Sequence, residues 1–389
     1  MTSDDFGTWW PCLRKHYKRT KVWLPRIKML DEALGGERSL RYFTLCARPM
    51  IDVYMLVRER VLLLDTASRR IKNVSFCECD EVIFPEMKEL IGIEESGFLA
   101  RLEKLVLFQD IPETDTLDTL EALSAFIEEV GEGVSDDVRD AVEEKRKLIQ
   151  LQKAFPFDFL NLDFCDRYYG DPPDVMIIHR TIEKLLEWQR RPLALVHGSP
   201  SSVSRFVLAI TCRVNAGLSP VVTKRLKNIV DENAREHVSY RDALTTRAIS
   251  DLSRWAQDDP LDFFMSAWPK EIAKLAEAKE WNITIHDHAF YDRQRRNGET
   301  YHMVCLVVEF KRTSVCTTYL QAVTEALDKD TRTQITRFDP PLNWVGRTLL
   351  ADLRKIVELR NEQARAFNRK PLPDPETEMT QLRSQGVRI

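Results

Sequence analysis

Glycine is scarce in this sequence, with 13 glycines among 389 residues. The phosphate-binding loops of P-loop and dinucleotide-binding proteins need glycines at fixed spacing, because a residue without a side chain lets the backbone approach a phosphate closely. No G-x-x-x-x-G-K-[ST] segment occurs anywhere in the chain. The sequence therefore argues against a P-loop protein and weakens the case for a conventional dinucleotide site.

Long apolar runs and an excess of one charge are also absent. No run of about 18 apolar residues predicts a membrane span, and residues 1–23 lack the apolar core of a signal peptide. The net charge is −4, so nucleic-acid binding would need a local basic surface. The eight cysteines lie mostly in apolar, strand-like segments, which is typical of reduced thiols. We therefore expect a cytoplasmic protein without a membrane segment.

Short apolar segments alternate with amphipathic segments along most of the chain. This alternation favours a mostly parallel sheet with helices on both faces. Two late strands, 281–293 and 301–313, flank Asn297 and Gly298, which favour a hairpin turn. The predicted fold class is α/β, with a doubly wound, mostly parallel sheet of about seven strands, a C-terminal antiparallel hairpin, helical insertions and helical termini. The five earlier strands are predicted at 40–47, 71–80, 102–110, 157–164 and 205–215.

Changes in composition divide the chain into three parts. Residues 1–39 alternate aromatic and basic positions and predict an N-terminal helical segment that stops at Gly35 and Gly36. Residues 40–320 form the predicted α/β domain, with helical insertions near 111–153 and 219–280. Residues 321–389 predict a C-terminal helix near 342–366 and a polar tail that contains prolines.

Polar side chains stand at the ends of the predicted strands. Asn161 and Asp163 alternate with apolar residues in "KAFPFDFLNLDFCDRYYG", so we expect both on one face of the fourth strand. Buried polar groups need partners, and ligands of open α/β sheets bind at the carboxyl ends of the strands. This pattern predicts a binding site at that edge. Polar residues at the other strand ends are Cys46, Glu78, Asp80, Asp110, Thr211 and Cys212.

The order of elements over roughly residues 40–312 resembles the class I, Rossmann-like, S-adenosylmethionine-dependent methyltransferases. That family has five β/α units followed by a hairpin, and it needs strand one between strands two and four. The resemblance implies that Glu78 or Asp80 binds the ribose hydroxyls and that Asp110 contacts the adenine amine. It also implies that "NLDFCD" faces the transferring methyl group. This segment is similar to the D-x-D-P-F-G-type motif of tRNA guanine dimethyltransferases, without its proline and its glycine.

The turn after the first strand departs from the family pattern. The family has a glycine-rich turn there, whereas this chain reads "FTLCARPMID". Because the first motif is degenerate, the resemblance implies S-adenosylmethionine in a shifted position, with Cys46 at the turn and Asp52 as the partner of its amine. The missing glycines leave open whether the cofactor binds.

The candidate catalytic residues are Asp163 and Asn161. Asp163 would orient a target amine or accept its proton during transfer. The alternative role for Asp163 is that of a carboxylate that caps the next helix, and acids such as Glu78 and Asp80 commonly follow strands without a ligand. Asp110 precedes acidic helices, and its alternative role is that of a solvent-exposed acid.

Two further patterns allow chemistry of other kinds. Cys165 and the pair Thr211-Cys212 resemble the two cysteine positions of RNA 5-methylcytosine methyltransferases, without the Pro-Cys context of that family; buried thiols are the alternative. His286 and His288 lie two residues apart in the predicted strand 281–293 and would share one face of it. They would serve there either as metal ligands or as part of a polar edge.

Two basic and aromatic areas are candidates for nucleic-acid contact. Lysine and arginine side chains near tryptophan and tyrosine suit phosphate contact together with base stacking. Solvated charge is the alternative for both areas. The acidic helices of 111–153 suggest a protein-contact face or plain solvation. The candidate nucleic-acid-binding residues are Arg14, Lys15 and Lys18 in the N-terminal segment, and Arg293, Arg295 and Arg296 in the hairpin.

These observations leave two main hypotheses for function. The first is an S-adenosylmethionine-dependent methyltransferase with nucleic acid as the candidate substrate. The second is a catalytically inactive methyltransferase-like module that binds protein or nucleic acid within a larger assembly. The polar strand ends favour the first, and the missing glycine turn favours the second. A metal-dependent hydrolase or nuclease would need Asp163 and either Glu78 or Asp80 to converge on one ion.

Overall fold

The structure of the protein is a computed structural model. It describes residues 13–36, 38–45, 49–65, 67–78, 80–91, 97–99, 150–169, 175–190, 203–214, 218–294, 300–312 and 345–384.

The centre of the protein is a seven-stranded sheet in the order β5-β4-β1-β6-β7-β9-β8. Its strands pair in parallel except that β9 runs antiparallel to both β7 and β8. The predicted α/β fold class, with a mostly parallel sheet and a C-terminal hairpin, is confirmed. The strands of the sheet are β1 (Tyr42–Thr44), β4 (Val74–Glu78), β5 (Gly97–Leu99), β6 (Phe159–Arg167), β7 (Arg205–Val214), β8 (Trp281–Gln294) and β9 (Thr300–Arg312); β2 (Leu64–Asp65) and β3 (Arg70–Ile71) form a separate ribbon.

The first strand lies between the second and fourth strands of the sheet. In register, Thr44 of β1 pairs with Phe76 of β4 on one side and with Asn161 of β6 on the other. Strands buried on both faces read as nearly continuous apolar runs, as β7 does here. The strand order that the methyltransferase resemblance requires is therefore present.

Helices cover both faces of the sheet and make two separate cores. Phe159, Val207 and Val307 belong to the core on one face, whereas their neighbours Leu160 and Leu208 belong to the core on the opposite face. The first face carries α1 (Leu13–Lys18), a π-helical turn (Arg19–Trp23), α2 (Leu24–Ala33), α3 (Ile51–Arg58), α4 (Ile83–Ile91) and α10 (Val345–Ala366); the second carries α5 (Ile177–Trp188), α6 (Pro220–Glu236), α7 (Val238–Thr246), α8 (Leu252–Asp258) and α9 (Pro260–Ala278).

The N-terminal helical segment runs from α1 through the π-helical turn into α2. Its second half buries Trp23, Ile27 and Leu30 against the first face of the sheet. The segment ends where the sequence predicts, since Gly35 and Gly36 have φ angles of 58° and 79°. Glycine adopts this left-handed region without a steric penalty, so it stops a helix readily.

The third strand begins earlier than the sequence predicts. It lies at Gly97–Leu99, whereas the predicted strand at 102–110 lies outside the described residues. Gly97 pairs in register with Phe76, and a Cβ atom at Gly97 would lie 2.8 Å from Cζ of that ring. This close approach explains a glycine inside a strand. The segment "LEKLVLFQD" is the more apolar of the two, and a strand there stays a prediction.

The C-terminal part contains a helix where the sequence predicts a polar tail. The helix α11 (Pro375–Ser384) follows Asp374, whose Oδ1 accepts the backbone N–H groups of Glu376 and Thr377 at 3.0 and 3.1 Å. Arg354 of α10 donates to the Asp374 carboxylate at 2.9 Å. An N-terminal cap and an ion pair therefore order a segment with little apolar content. Among the described helices, none is long and apolar enough to cross a membrane.

Candidate functional site

The polar side chains of β6 lie at the carboxyl edge of the sheet, on its first face. Asn161 hydrogen-bonds to Asp52 of α3, and Asp163 forms an ion pair with Lys15 of α1. Both helices cover the same face, so the predicted shared orientation of Asn161 and Asp163 is present. In register, Asp163 lies beside Thr211 of β7, beyond the last paired residue of β1.

The carboxylate of Asp52 is the centre of a buried hydrogen-bond network. Its Oδ2 accepts hydrogen bonds from Tyr42 Oη at 2.5 Å, Thr44 Oγ1 at 2.8 Å and Asn161 Nδ2 at 2.9 Å. All four side chains are buried. Because the donors come from β1 and β6, one carboxylate holds the two central strands to the helix that follows β1. This is a different role from the cofactor-amine contact proposed for Asp52, which stays a prediction.

The Asp52 network carries a negative charge. Burial by itself would raise the pKa of Asp52, but the charge of Arg19 and the three hydrogen bonds outweigh it, so the pKa lies below its ordinary value. Burial and the neighbouring carboxylate raise the pKa of Tyr42 well above its ordinary value, so its hydroxyl remains a donor. The network is thus an ionised carboxylate held by neutral donors under a basic helix.

One polar atom of this network has no hydrogen-bond partner. Asn161 turns its Nδ2 toward Asp52 and Thr44, while its buried Oδ1 has no partner. The Asp52 carboxylate fixes this orientation because it requires a donor. An unpaired buried acceptor is unfavourable by about 1–3 kcal/mol. Asn161 Oδ1 is therefore a ready acceptor for an N–H group of a ligand.

Met50, at the start of α3, has a strained backbone conformation. Met50, the residue before α3, has a φ of 52° and lies in the left-handed region, although it carries a bulky side chain. Its side chain is buried against the first face of the sheet. A residue held in this region stores about 1–3 kcal/mol of strain, and such residues cluster at functional turns. Met50 supplies the backbone conformation that glycine usually supplies there.

The basic residues of α1 pair with acids at the carboxyl edge. Lys15 Nζ contacts Asp163 Oδ2, and Lys18 Nζ lies 3.0 and 2.7 Å from the two carboxylate oxygens of Asp287 in β8. The four side chains are between 6% and 15% exposed. The N-terminal segment therefore contacts the site internally. Phosphate binding by Lys15 and Lys18 stays a prediction, and it would require both pairs to open.

A third contact joins α1 to α10. His16 is fully buried, and its Nε2 lies 2.9 Å from Oδ2 of Asp352. Arg58 of α3 contacts the other carboxylate oxygen of Asp352 at 2.7 Å. Burial lowers the pKa of His16, and the charges of Arg19 and Arg58 lower it further, against the opposing effect of Asp352. His16 is therefore held as a neutral ring.

The acids after β4 have local roles in the structure. Asp80 Oδ1 accepts the backbone N–H groups of Val82 and Ile83 at 2.8 and 3.1 Å and so caps the start of α4. Glu78 Oε1 accepts the backbone N–H of Asp80 at 2.9 Å. Asp80 therefore has a structural role that the sequence did not predict for it, and the ribose contact of either acid stays a prediction.

Several other candidate residues are only partly described. Arg14 lies in α1 and Arg293 lies in β8. Cys165 lies in β6. Four further candidates, namely Cys46, Asp110, Arg295 and Arg296, lie outside the described residues, as does the turn with Asn297 and Gly298.

Cys212 and Cys305 are buried thiols on two neighbouring strands. Burial raises the pKa of Cys212 well above its ordinary value, and burial together with Asp287 raises the pKa of Cys305 to about 11. A thiol with a raised pKa is a poor nucleophile near neutral pH. The surroundings of Cys212 therefore favour a buried structural thiol over a nucleophile that attacks a base.

The two histidines of β8 lie on opposite faces, contrary to the predicted shared face. The register of β8 against β9 shifts between Ile285 and Asp287, which makes His286 the extra residue of a β-bulge. His286 Nε2 lies 2.8 Å from Glu309 Oε2, whereas His288 contacts Trp268 of α9. The bulge breaks the alternation on which the prediction depended. Within the described ranges, no three His, Cys, Asp or Glu residues converge as metal ligands.

A second polar cluster lies on the opposite face, just after β6. Tyr169 Oη donates to Glu271 Oε2, Arg225 forms an ion pair with the same carboxylate, and Arg225 Nη2 lies 2.8 Å from His179 Nε2. Hydrogen bonds and charge from His179, with help from Arg225, outweigh burial and lower the pKa of Glu271. Sequence reasoning missed this cluster because its members come from separate helices. The adjacent "RYYG" was the available signal.

Comparisons of the chain with models of protein families, with curated proteins and with solved structures find no match.

The Asp52 network yields a prediction about stability. Replacing Asp52 with Asn removes the charge that three donors share, so we expect the free energy of unfolding to fall by about 2–4 kcal/mol. Thr44→Val removes one donor and keeps the shape, so it should lower stability by about 1 kcal/mol. Urea unfolding of both variants measures the difference. Equal effects of the two substitutions would contradict a central role for the carboxylate.

The buried His16 yields a prediction about pH. Its pKa is lowered in the folded protein, so the unfolded chain binds the proton first as pH falls through the ordinary value of 6.5. Folding stability should therefore decline between about pH 7.5 and pH 5.5. Asp352, whose pKa is lowered, contributes a loss only in more acidic solution.

Thermal unfolding at both pH values would measure this decline in the wild type, in His16→Gln and in His237→Gln. We expect His16→Gln to show a smaller change between the two pH values than the wild type. His237, which is partly exposed, provides the matched histidine-to-glutamine control. An undiminished pH dependence in His16→Gln would show that another group causes it.

Proposed function

We propose that this protein is an S-adenosylmethionine-dependent methyltransferase whose site is the carboxyl edge of the sheet. The observation that carries the proposal is the strand order β5-β4-β1-β6-β7-β9-β8 with β9 as the antiparallel member. This order makes β1 and β6 neighbours, so the segments after both strands open onto one edge. Ligands of open α/β sheets bind at this edge, and Asn161 and Asp163 stand there.

The residues at the edge offer groups that suit such a cofactor and a methyl acceptor. Asn161 Oδ1 is a buried acceptor without a partner, and it would accept an N–H group. Glu78, at the end of the second strand of the sheet, would hold ribose hydroxyls. The strained turn at Met50 would carry the backbone close to the cofactor. When bound, S-adenosylmethionine supplies an electrophilic methyl group.

The work of the protein would then be mainly to position the reactants. Asp163 would hold the acceptor group in line with the methyl group, and Asn161 would restrict its orientation. Direct displacement gains most from such alignment, because holding two reactants together removes an entropic barrier.

The cellular setting forms part of the same proposal. The described thiols Cys212 and Cys305 are buried and form no disulfide. Unpaired thiols are typical of a reducing compartment, which supports a cytoplasmic location. For nucleic acid as the acceptor, support rests on Arg293, Arg295 and Arg296, because Lys15 and Lys18 are engaged in internal ion pairs.

A second candidate function is a non-catalytic binding module with the same fold. The observation that favours it is the ion pair between Lys15 and Asp163, which fills the position of the acceptor group. The glycine-free turn after β1 also favours this alternative. The two functions differ in one measurable property, the affinity for the cofactor.

Calorimetry of S-adenosylmethionine and S-adenosylhomocysteine with the full chain tests the proposal. We expect micromolar binding, weakened about tenfold by Glu78→Gln, because a ribose hydroxyl loses a charged acceptor. Glu81→Gln is the matched control, since Glu81 is exposed and three residues along the chain. Absence of binding by a folded wild-type protein would favour the non-catalytic module.

A further inference from the structure

We propose that the carboxyl edge between β6 and β8 binds a lysine-bearing peptide, and that α1 occupies this site when the peptide is absent. The site is defined by the carboxylates of Asp163 and Asp287 and by Asn161 Oδ1. Lys15 and Lys18 of α1 hold the two carboxylates. The binding inference goes beyond the proposed function, and its consequence for catalysis rests on that function.

The chemistry of the site selects a cation. Asp163 and Asp287 are each nearly buried, and each holds an ammonium group. A phosphate backbone at this position would be repelled by the negative charges of the two carboxylates. An ammonium group has three N–H donors, so one held by Asp163 has donors left for another acceptor. Asn161 Oδ1, two residues away on the same face, is such an acceptor and has no partner.

The two halves of the N-terminal segment are attached to the protein in different ways. Trp23, Leu24, Ile27 and Leu30 dock the second half by burial of apolar surface. The first half, α1, docks mainly through polar contacts, namely the ion pairs of Lys15 and Lys18 and the buried His16 beside Asp352, with Leu13 partly buried against the core. Nearly buried ion pairs contribute little net stability, because desolvation offsets most of the attraction. The attachment of α1 is therefore the weaker of the two, although both halves lie on one face.

A π-helical turn, Arg19–Trp23, lies between the charged half and the apolar half. π-helical turns are rare, have poorer packing than α-helix and often occur at functional sites. The backbone can change direction at this turn while α2 remains docked. The segment is thus built so that α1 can leave the edge and expose Asp163 and Asp287.

The spacing of the two lysines defines the ligand. Lys15 and Lys18 are three residues apart, so they project from one side of a helix onto β6 and β8. A peptide with the pattern Lys-x-x-Lys presents the same two ammonium groups. In the proposed methyl transfer, the acceptor would then be a lysine amine.

The transfer step balances with S-adenosylmethionine as the co-reactant. The lysine ammonium group first transfers one proton to water. The lone pair of the resulting amine then forms the bond from nitrogen to the methyl carbon. The sulfur–carbon bond breaks, and its electron pair stays on the sulfur of S-adenosylhomocysteine. Asp163 holds the nitrogen in position during the step.

A binding experiment with the full chain tests the inference. The probe is a fluorescent peptide with the sequence of residues 13–23, measured by anisotropy. In the wild type, tethered α1 competes at high effective concentration, so we expect weak binding. The double variant Lys15→Ala/Lys18→Ala should bind the probe at least about tenfold more tightly. Lys21→Ala is the matched control, because Lys21 is an exposed lysine of the same segment, and it should behave as the wild type.

Two further measurements identify the site. A probe with alanine at the positions of Lys15 and Lys18 should lose binding, and Asp163→Asn in the double variant should weaken binding of the original probe about tenfold. If the double variant is unfolded by circular dichroism, Lys18→Ala alone replaces it, because that change opens a single pair. A folded Lys15→Ala/Lys18→Ala variant that does not bind the peptide would overturn the inference. Tighter binding of an RNA oligonucleotide than of the peptide would also overturn it.

Failure of this inference is distinguishable from failure of the proposed function. Calorimetry of S-adenosylhomocysteine with the same double variant gives the second readout. Cofactor binding without peptide binding would overturn the peptide site alone. Peptide binding without cofactor binding would overturn the methyltransferase and leave the peptide site supported.

Discussion

The buried carboxylate of Asp52 is the interaction on which the carboxyl edge depends. It accepts three hydrogen bonds on one oxygen, from Tyr42, Thr44 and Asn161. These donors belong to the two central strands, and the carboxylate belongs to the helix after the first strand. The network therefore fixes the distance between strand ends and helix start, which is where an open α/β sheet binds its ligands. Its negative charge also attracts the basic N-terminal segment.

The N-terminal segment completes the edge through charge. Lys15, His16 and Lys18 contact acids that belong to β6, α10 and β8. One short helix thereby joins elements that are far apart in sequence. The two lysines that were predicted to contact phosphate pair with acids here, and phosphate contact stays a prediction. The same contacts explain how the site could be covered in one state and open in another.

The architecture was predictable from the sequence because it depends on local patterns. Apolar segments of strand length alternate with amphipathic ones, and Asn297-Gly298 marks the hairpin, so the class and the mostly parallel sheet followed. The alternation around Asn161 and Asp163 likewise placed both side chains on one face. These inferences needed neighbours in sequence only, and for that reason they agree with the structure.

The details of the site depend on contacts between distant residues, and the sequence does not encode these in any local pattern. Nothing around Lys15 indicates that its partner is Asp163. The bulge at His286 places it and His288 on opposite faces, because one extra residue reverses the alternation. The helix α11 depends on the cap at Asp374 and on Arg354 of another helix.

Hydrogen exchange of the N-terminal segment in the full chain tests the central claim most directly. The account predicts that amides of α1 exchange through a local opening, at a lower free energy than amides of α2. Exchange of α1 and α2 at the same rate, through global unfolding alone, would contradict a releasable cover over the carboxyl edge.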